Sequence, residues 1–215
     1  MSTLVDLGPV AQLRAGRLPR RLVQMTVGLT LYGISLGMLV AAALGTAPWD
    51  VLHAGIATHV PLTIGQVLTL ASFVVLLGWI PLREVPGIAT LANPVVLGLA
   101  ADATIAVLGD VTAPVERVAL MVGGVVLCAF ATALYIGAQL GRGPRDGLMT
   151  GLVRRTGASV RLVRTAIEVS VVVGGLLLGG VAGAGTVVFA LAIGPLTQLM
   201  LPRLVVDLPG RGPAL

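Results

Sequence analysis

The sequence predicts an all-α polytopic membrane protein with six transmembrane helices, built as two inverted three-helix repeats with short re-entrant or interfacial helices. The prediction comes from the composition, the number of apolar stretches and a repeat with a spacing of 96 residues. Hydrophobic residues make up 56% of the 215-residue chain and charged residues 11%, and the mean hydropathy is +1.01. Because a soluble domain carries about 25% charged residues, this composition favours a membrane protein.

Six apolar stretches approach the length of about 20 residues that a transmembrane helix needs. They cover residues 22–44, 63–80, 87–108, 118–140, 162–180 and 185–201. The last two form one nearly uncharged region, and a glycine-rich segment at 179–185 predicts the turn between them. Residues 1–21, which carry four arginines, and residues 204–215 are predicted to be tails.

The second half of the chain repeats the first. The segment LGTAPWDVL at 44–52 returns as LGRGPRDGL at 140–148. Between residues 28 and 98, 18 of 71 positions carry the residue found 96 positions later, where chance gives about a tenth. We predict a first repeat at 22–110 and a second at 115–203. Since each holds three spans, the two insert in opposite senses, as in many secondary transporters.

The arginines predict the orientation, because positive residues are enriched in cytoplasmic loops. They cluster in the N-terminal tail and at 142–161, whereas the segments between spans one and two and between spans five and six have none. This pattern favours a bacterial inner membrane with both termini in the cytoplasm. Only Arg117, partly offset by Glu116, lies on the outer side.

Each copy of the repeated segment predicts a short helix entered by a glycine, at residues 48–58 and 144–155. Asp50 and Asp146 fall in the first turn, where the positive helix end stabilises a carboxylate. The two helices either lie flat on the membrane or dip into it from opposite faces. Their aspartates are candidate gate or pore residues, or they only cap their helices.

Two further groups of charged residues lie on the predicted inner side. Arg142 and Arg145 are candidate contacts for a phosphate or carboxylate, or else positive signals that meet lipid headgroups. Arg164 and Glu168, four residues apart in the fifth span, predict an ion pair that shields Glu168; the alternative is that Glu168 is a pathway residue that acts in a proton relay.

Asp102 lies within the third span, and its counterpart 96 residues later is Gln198. An intramembrane carboxylate indicates a proton or cation site; otherwise Asp102 bonds a neighbouring helix or reaches the headgroups. Asn93 precedes Pro94, and this pair is able to break the span and expose carbonyls to a pocket.

Metal, cofactor and catalytic sites are not expected. Neither His53 nor His59 has a second ligand at suitable spacing, and Cys128 is the single cysteine. The chain lacks nucleotide-binding and hydrolase motifs, so no enzymatic activity is expected. A net charge of +5 spread over loops argues against nucleic acid as a partner.

Four segments resemble the bacterial YczE/YyaS/YitT family of membrane proteins: LGTAPWDVLHAG, LYIGAQLGRGPRDGLMTGL, RTGASVRLVRTAIE and GAGTVVFALAIGPL. The resemblance covers residues 21–202, and GPRDG is its most specific part. It implies a polytopic inner-membrane protein and supplies no catalytic residue or substrate. Family members with a soluble C-terminal domain differ from this chain, so no sensory module is expected here.

We therefore expect a small secondary transporter or exporter of an unknown small molecule or ion, with its pathway between the halves. The alternative is a non-transporting membrane partner that supports a regulatory or biosynthetic complex through its arginine-rich inner face. The lipid bilayer is an expected partner in both cases. Gly33 and Gly37 form a small-residue face that suits a homodimer or packing within the chain.

Overall fold

The computed structural model describes residues 8–208, which form ten helices and contain no strand. Residues 1–7 and 209–215, which belong to the two predicted tails, lie outside the described residues. The helices are α1 (Pro9–Arg14), α2 (Leu18–Ala42), α3 (Pro48–Ala57), α4 (Ile64–Leu77), α5 (Trp79–Leu82), α6 (Ile88–Leu108), α7 (Pro114–Gly137), α8 (Pro144–Thr156), α9 (Val160–Leu177) and α10 (Ala184–Leu204). The all-α prediction is confirmed.

Within residues 8–208, five helical segments are long and apolar enough to cross a membrane: α2, α4 with α5, α6, α7 and α10. Helix α9 has 18 residues and coincides with the fifth predicted span, but three of them are charged: Arg161, Arg164 and Glu168. At the N-terminal end of the chain, the predicted tail is partly helical, because α1 and the first turn of α2 lie within residues 1–21.

The helix starts follow from local sequence and recur at one spacing. Thr63 and Ser159 cap α4 and α9 through their side-chain oxygens, and Pro48 and Pro144 occupy the first turn of α3 and α8. Four helices of the first half, α2, α3, α4 and α6, begin 96 residues before α7, α8, α9 and α10 respectively.

Helices α2 and α7 pack against each other at the centre of the bundle, α6 packs on α2, and α10 packs on α7. The small-residue face of α2 is buried in this packing. A Cβ atom on Gly33 would lie 2.6 Å from the Cβ of Ala100, and one on Gly37 would lie 2.6 Å from the Cβ of Thr104. Gly33 and Gly37 therefore serve contacts within the chain.

Two arginines 96 residues apart cap the C-terminal ends of the central helices α7 and α2. Arg21, fully buried, donates from Nε and Nη2 to the carbonyls of residues 138 and 139 after α7, at 2.8 and 2.6 Å. Arg117 donates from the same two atoms to the carbonyls of residues 42 and 43 at the end of α2, at 2.7 and 2.6 Å. Because the last carbonyls of a helix lack partners within it, Arg117 has a structural reason for its place on the predicted outer side.

Arg117→Ala is expected to destabilise the protein by about 2 kcal/mol, because two carbonyls lose charged donors. A lower melting temperature of the detergent-purified protein checks this. Arg155→Ala is the control, since Arg155 is exposed and makes one bond, of 3.2 Å, to the carbonyl of Pro81. Equal melting temperatures for the two variants would show that the capping contributes nothing.

Candidate functional site

The loops that precede the short helices are held at the centre of the bundle. Gly45 and Gly141 have φ angles of 105° and 122°, which glycine adopts without strain. The carbonyl of the residue before each glycine accepts a hydrogen bond from the start of α10 or α6, at 2.8 and 2.9 Å respectively. Each loop is thus fixed to the last long helix of the opposite half.

The first turns of α3 and α8 meet. Nη2 of Arg145 lies 3.8 Å from Oδ1 of Asp50, and the Arg145 guanidinium carbon lies 5.0 Å from the centroid of the Trp49 ring. The repeated segments therefore bring their aspartates and Arg145 to one place inside the bundle.

Asp50 and His53 form a buried pair on α3. Oδ1 of Asp50 lies 3.0 Å from Nδ1 of His53, and each residue is 1% exposed. Oδ2 of Asp50 and Nε2 of His53 have no hydrogen-bond partner among the described residues. Because buried polar atoms are nearly always paired, this pair is unusual for a purely structural element, and it lies directly behind Arg145.

A cavity of about 280 Å³ lies beside this contact. Its wall combines aromatic, charged and other polar side chains from six helices and the loop before α3. The main lining residues are Tyr32, Trp49, Thr132, Tyr135, Arg145, Asp146, Arg164, Ile167, Glu168, Phe189, Ile193, Thr197 and Gln198. Both repeated segments contribute, and so do α9 and α10.

The charged groups of the cavity are positioned by specific partners. Nε of Arg164 donates to Oε1 of Glu168 at 2.9 Å, so the ion pair predicted from their spacing is present. The Tyr135 hydroxyl donates to Oδ2 of Asp146 at 3.1 Å. Tyr135 also stacks on Tyr32, with ring centroids 6.1 Å apart. The repeat gives no signal for the two tyrosines, since neither has a tyrosine 96 residues away.

Asp102 lies outside this cavity. Its Oδ2 accepts a hydrogen bond of 2.5 Å from the Thr63 hydroxyl, and its Oδ1 accepts one of 2.8 Å from the backbone N–H of Gly65. Both carboxylate oxygens therefore hold the first turn of α4 against α6. This matches the alternative in which Asp102 bonds a neighbouring helix.

Asn93 and Arg142 also lie outside the cavity lining. Asn93 is buried next to the start of α8, where its Nδ2 would be 3.8 Å from a Cβ atom on Gly143. Nη1 of Arg142 donates to the Thr150 hydroxyl at 3.1 Å. Within residues 8–208, no three histidine, cysteine or acidic side chains come together to hold a metal ion.

Two helix pairs that correspond in the repeat, α4 with α6 and α9 with α10, pack differently. Helix α4 packs closely on α6, where Gly65 and Gly98 bring the backbones together. Their counterparts are Arg161 and Gly194. Helices α9 and α10 lack comparable packing in the described chain, and a Cβ atom on Gly194 would meet nothing within 4 Å. The cavity lies in the space between them.

Comparison with known proteins gives a family. The model of a family of unknown function, DUF6198, matches residues 19–202. An uncharacterized protein of Haemophilus influenzae is 42% identical over 84% of this chain and 83% of its own length. An uncharacterized membrane protein of Bacillus subtilis, YczE, is 31% identical over 80% of each chain.

YyaS, an uncharacterized protein of Bacillus subtilis, is 22% identical over 82% of this chain and 90% of its own length. No solved structure matches the chain. The resemblance to the YczE and YyaS proteins is confirmed, and the apolar helices agree with a membrane protein. The chain belongs to DUF6198, a family of unknown function.

Proposed function

We propose that this protein is a small secondary transporter in which two inverted three-helix repeats alternate access to the central cavity. The observation that carries the proposal is the difference between corresponding helix pairs. The pair α4 and α6, named the outer gate here, is closed, whereas the pair α9 and α10, named the inner gate, is open. Two repeats in unlike states are what alternating access requires.

The repeat itself has structural support. The helix starts recur at a spacing of 96 residues, Arg21 and Arg117 make equivalent bonds, and the two loops dock equivalently on α10 and α6. The packing is also crossed, because α3 lies against α9 and α8 lies against α4 and α5. Each gate therefore contacts the short helix of the other repeat, and these contacts couple the two gates.

With both termini in the cytoplasm, the open side of the cavity faces inward. The lining residues of α9 and α10, Arg164 to Glu168 and Ile193 to Gln198, lie in the halves of these helices that follow or precede the cytoplasmic loops. Asp50, Arg145 and Asp146 then form the central barrier and binding site. This placement rests on the arginine distribution and on an inner-membrane location.

Asp102 and Gln198 stabilise the closed states of the outer and inner gates respectively in this proposal. Asp102 holds the start of α4 through Thr63 and Gly65 while the outer gate is closed. Gln198 and Ser159, the counterparts of Asp102 and Thr63, are not joined in this state. Closure of the inner gate is expected to bring Gln198 to the start of α9.

Crosslinking of paired cysteines tests the exchange of states in a Cys128→Ala background. Thr63→Cys with Asp102→Cys reports the closed outer gate, since these side chains touch here, at 2.5 Å. Ser159→Cys with Gln198→Cys reports a closed inner gate. In membrane vesicles, both pairs are expected to crosslink, and prior crosslinking of the outer pair is expected to suppress the inner one.

A static membrane partner gives a different result. Its outer pair would crosslink and its inner pair would remain open under every condition. That outcome would contradict transport by alternating access and would favour a docking role. Oxidation of the same vesicles without cysteine substitutions is the control.

A further inference from the structure

We propose that the cavity binds a small zwitterion of the α-amino acid type, with its carboxylate on Arg145 and its ammonium group on Asp146. The biological use of such binding rests on the transport function proposed above, but binding itself is measurable without transport. The evidence is the charge pattern, the geometry of Arg145 and the apolar remainder of the wall.

Arg145 and Asp146 are the charges of the cavity wall that are available to a ligand. The other two charged lining residues, Arg164 and Glu168, neutralise each other at 2.9 Å. The distance of 3.8 Å from Arg145 to Asp50 is longer than a hydrogen bond. Asp146 has no cationic partner of its own: its hydrogen bonds come from the neutral hydroxyl of Tyr135, at 3.1 Å, and from the backbone of Gly143. One positive and one negative group therefore adjoin in the first turn of α8.

Arg145 is oriented for a carboxylate. Its guanidinium carbon lies over the Trp49 ring, 5.0 Å from the centroid, and its side chain is 21% exposed. A guanidinium is planar, and its fork of N–H groups matches two carboxylate oxygens. The positive ends of α3 and α8 also point to this region, which adds to the attraction for an anionic group.

A ligand with a single charge fits the wall less well. A lone anion at Arg145 meets the adjacent carboxylate of Asp146, and a lone cation at Asp146 meets the adjacent guanidinium. A zwitterion satisfies both groups, so the pair selects against ligands of either single charge. This is selection by repulsion as well as by attraction.

The rest of the wall accommodates a compact apolar side chain. Ile167, Phe189 and Ile193 line the cavity together with the Tyr32 ring. A volume of about 280 Å³ lies just below the range of about 300–1,000 Å³ of pockets for drug-sized ligands. The probe chosen for the test is therefore leucine.

Calorimetric binding to the purified protein compares leucine with two analogues that each lack one charged group. These are 3-methylbutylamine, without the carboxylate, and 4-methylpentanoate, without the amine. Leucine is expected to bind at least about tenfold more tightly than either, as one lost charge-assisted contact implies. Tighter binding of either analogue than of leucine, or no binding of leucine, would overturn the proposal.

Two variants assign the charges. Asp146→Asn is expected to weaken leucine about tenfold and to leave 4-methylpentanoate unchanged or tighter. Arg145→Gln combined with Asp50→Asn, which preserves the balance of charge, is expected to weaken leucine and spare 3-methylbutylamine. Glu116→Gln, at an exposed acid distant from the cavity lining, is the control. Equal losses for all three ligands in both variants would contradict the assignment.

Failure of this proposal is distinguishable from failure of the transport proposal. If the crosslinks show that both gates open and close but leucine does not bind, the transport proposal stands and the amino acid is excluded as the ligand. Leucine binding with static gates would retain the site and remove transport.

Discussion

Gly98→Val is expected to destabilise the protein by about 3 kcal/mol, whereas Gly194→Val is expected to leave its stability unchanged. The two glycines are repeat counterparts on α6 and α10. A Cβ atom on Gly98 would collide with the hydroxyl of Thr69 and would lie 2.5 Å from the carbonyl oxygen of Gly65. The same atom on Gly194 would have open space within 4 Å. Melting temperatures in detergent measure the difference.

The same two variants distinguish a transporter with alternating access from a static membrane partner. If α9 closes on α10 as α4 closes on α6, a valine side chain at position 194 blocks that closure. Gly194→Val is then expected to abolish the crosslink between Ser159→Cys and Gln198→Cys without a change in melting temperature. An unchanged inner crosslink would contradict the proposed closure, and equal melting temperatures of the two valine variants would contradict the observed asymmetry.

Arg145→Gln is expected to destabilise the protein by about 3 kcal/mol, because it removes the positive charge next to a buried carboxylate. Asp50 is 1% exposed, and Nη2 of Arg145 lies 3.8 Å from its Oδ1. Breaking such a pair on one side leaves an uncompensated charge. The melting temperature in detergent is the measurement.

The double variant with Asp50→Asn makes this prediction specific to charge. Removing both charges is expected to restore most of the lost stability, since an amide has a much smaller desolvation cost than a carboxylate. Arg155→Gln, at an exposed position, is the control. If the losses of Arg145→Gln and Asp50→Asn simply add in the double variant, the two side chains do not interact.

The sequence predicted the helices well because apolar length and helix caps are local properties. The predicted span at 87–108 and helix α6 at Ile88–Leu108 differ by one residue at one end. The predicted short helices begin at Pro48 and Pro144, as observed. The first 21 residues were less well predicted, because Arg21 is buried by carbonyls more than a hundred residues away.

The candidate site residues divide into two groups. Asp146, Arg145 and Glu168 line the cavity, and Asp50 lies directly behind it, next to Arg145. Asp102, Asn93 and Arg142 lie outside the cavity lining, and the carboxylate of Asp102 accepts hydrogen bonds from the start of α4. Sequence alone cannot distinguish a free intramembrane carboxylate from one that caps a neighbouring helix, since the chemistry of the residue is identical.

The sequence by itself determined the apolar helices, the membrane class, the spacing of 96 residues and the two short helices with an acid in the first turn. These features depend on residue chemistry and local spacing. Only the tertiary structure decided that the two short helices meet, that Tyr32 and Tyr135 line the cavity, and that α4 packs on α6 while α9 stands apart from α10. The reason is physical: equivalent sequences predict equivalent helices, but the distance between helices depends on which side chains oppose each other.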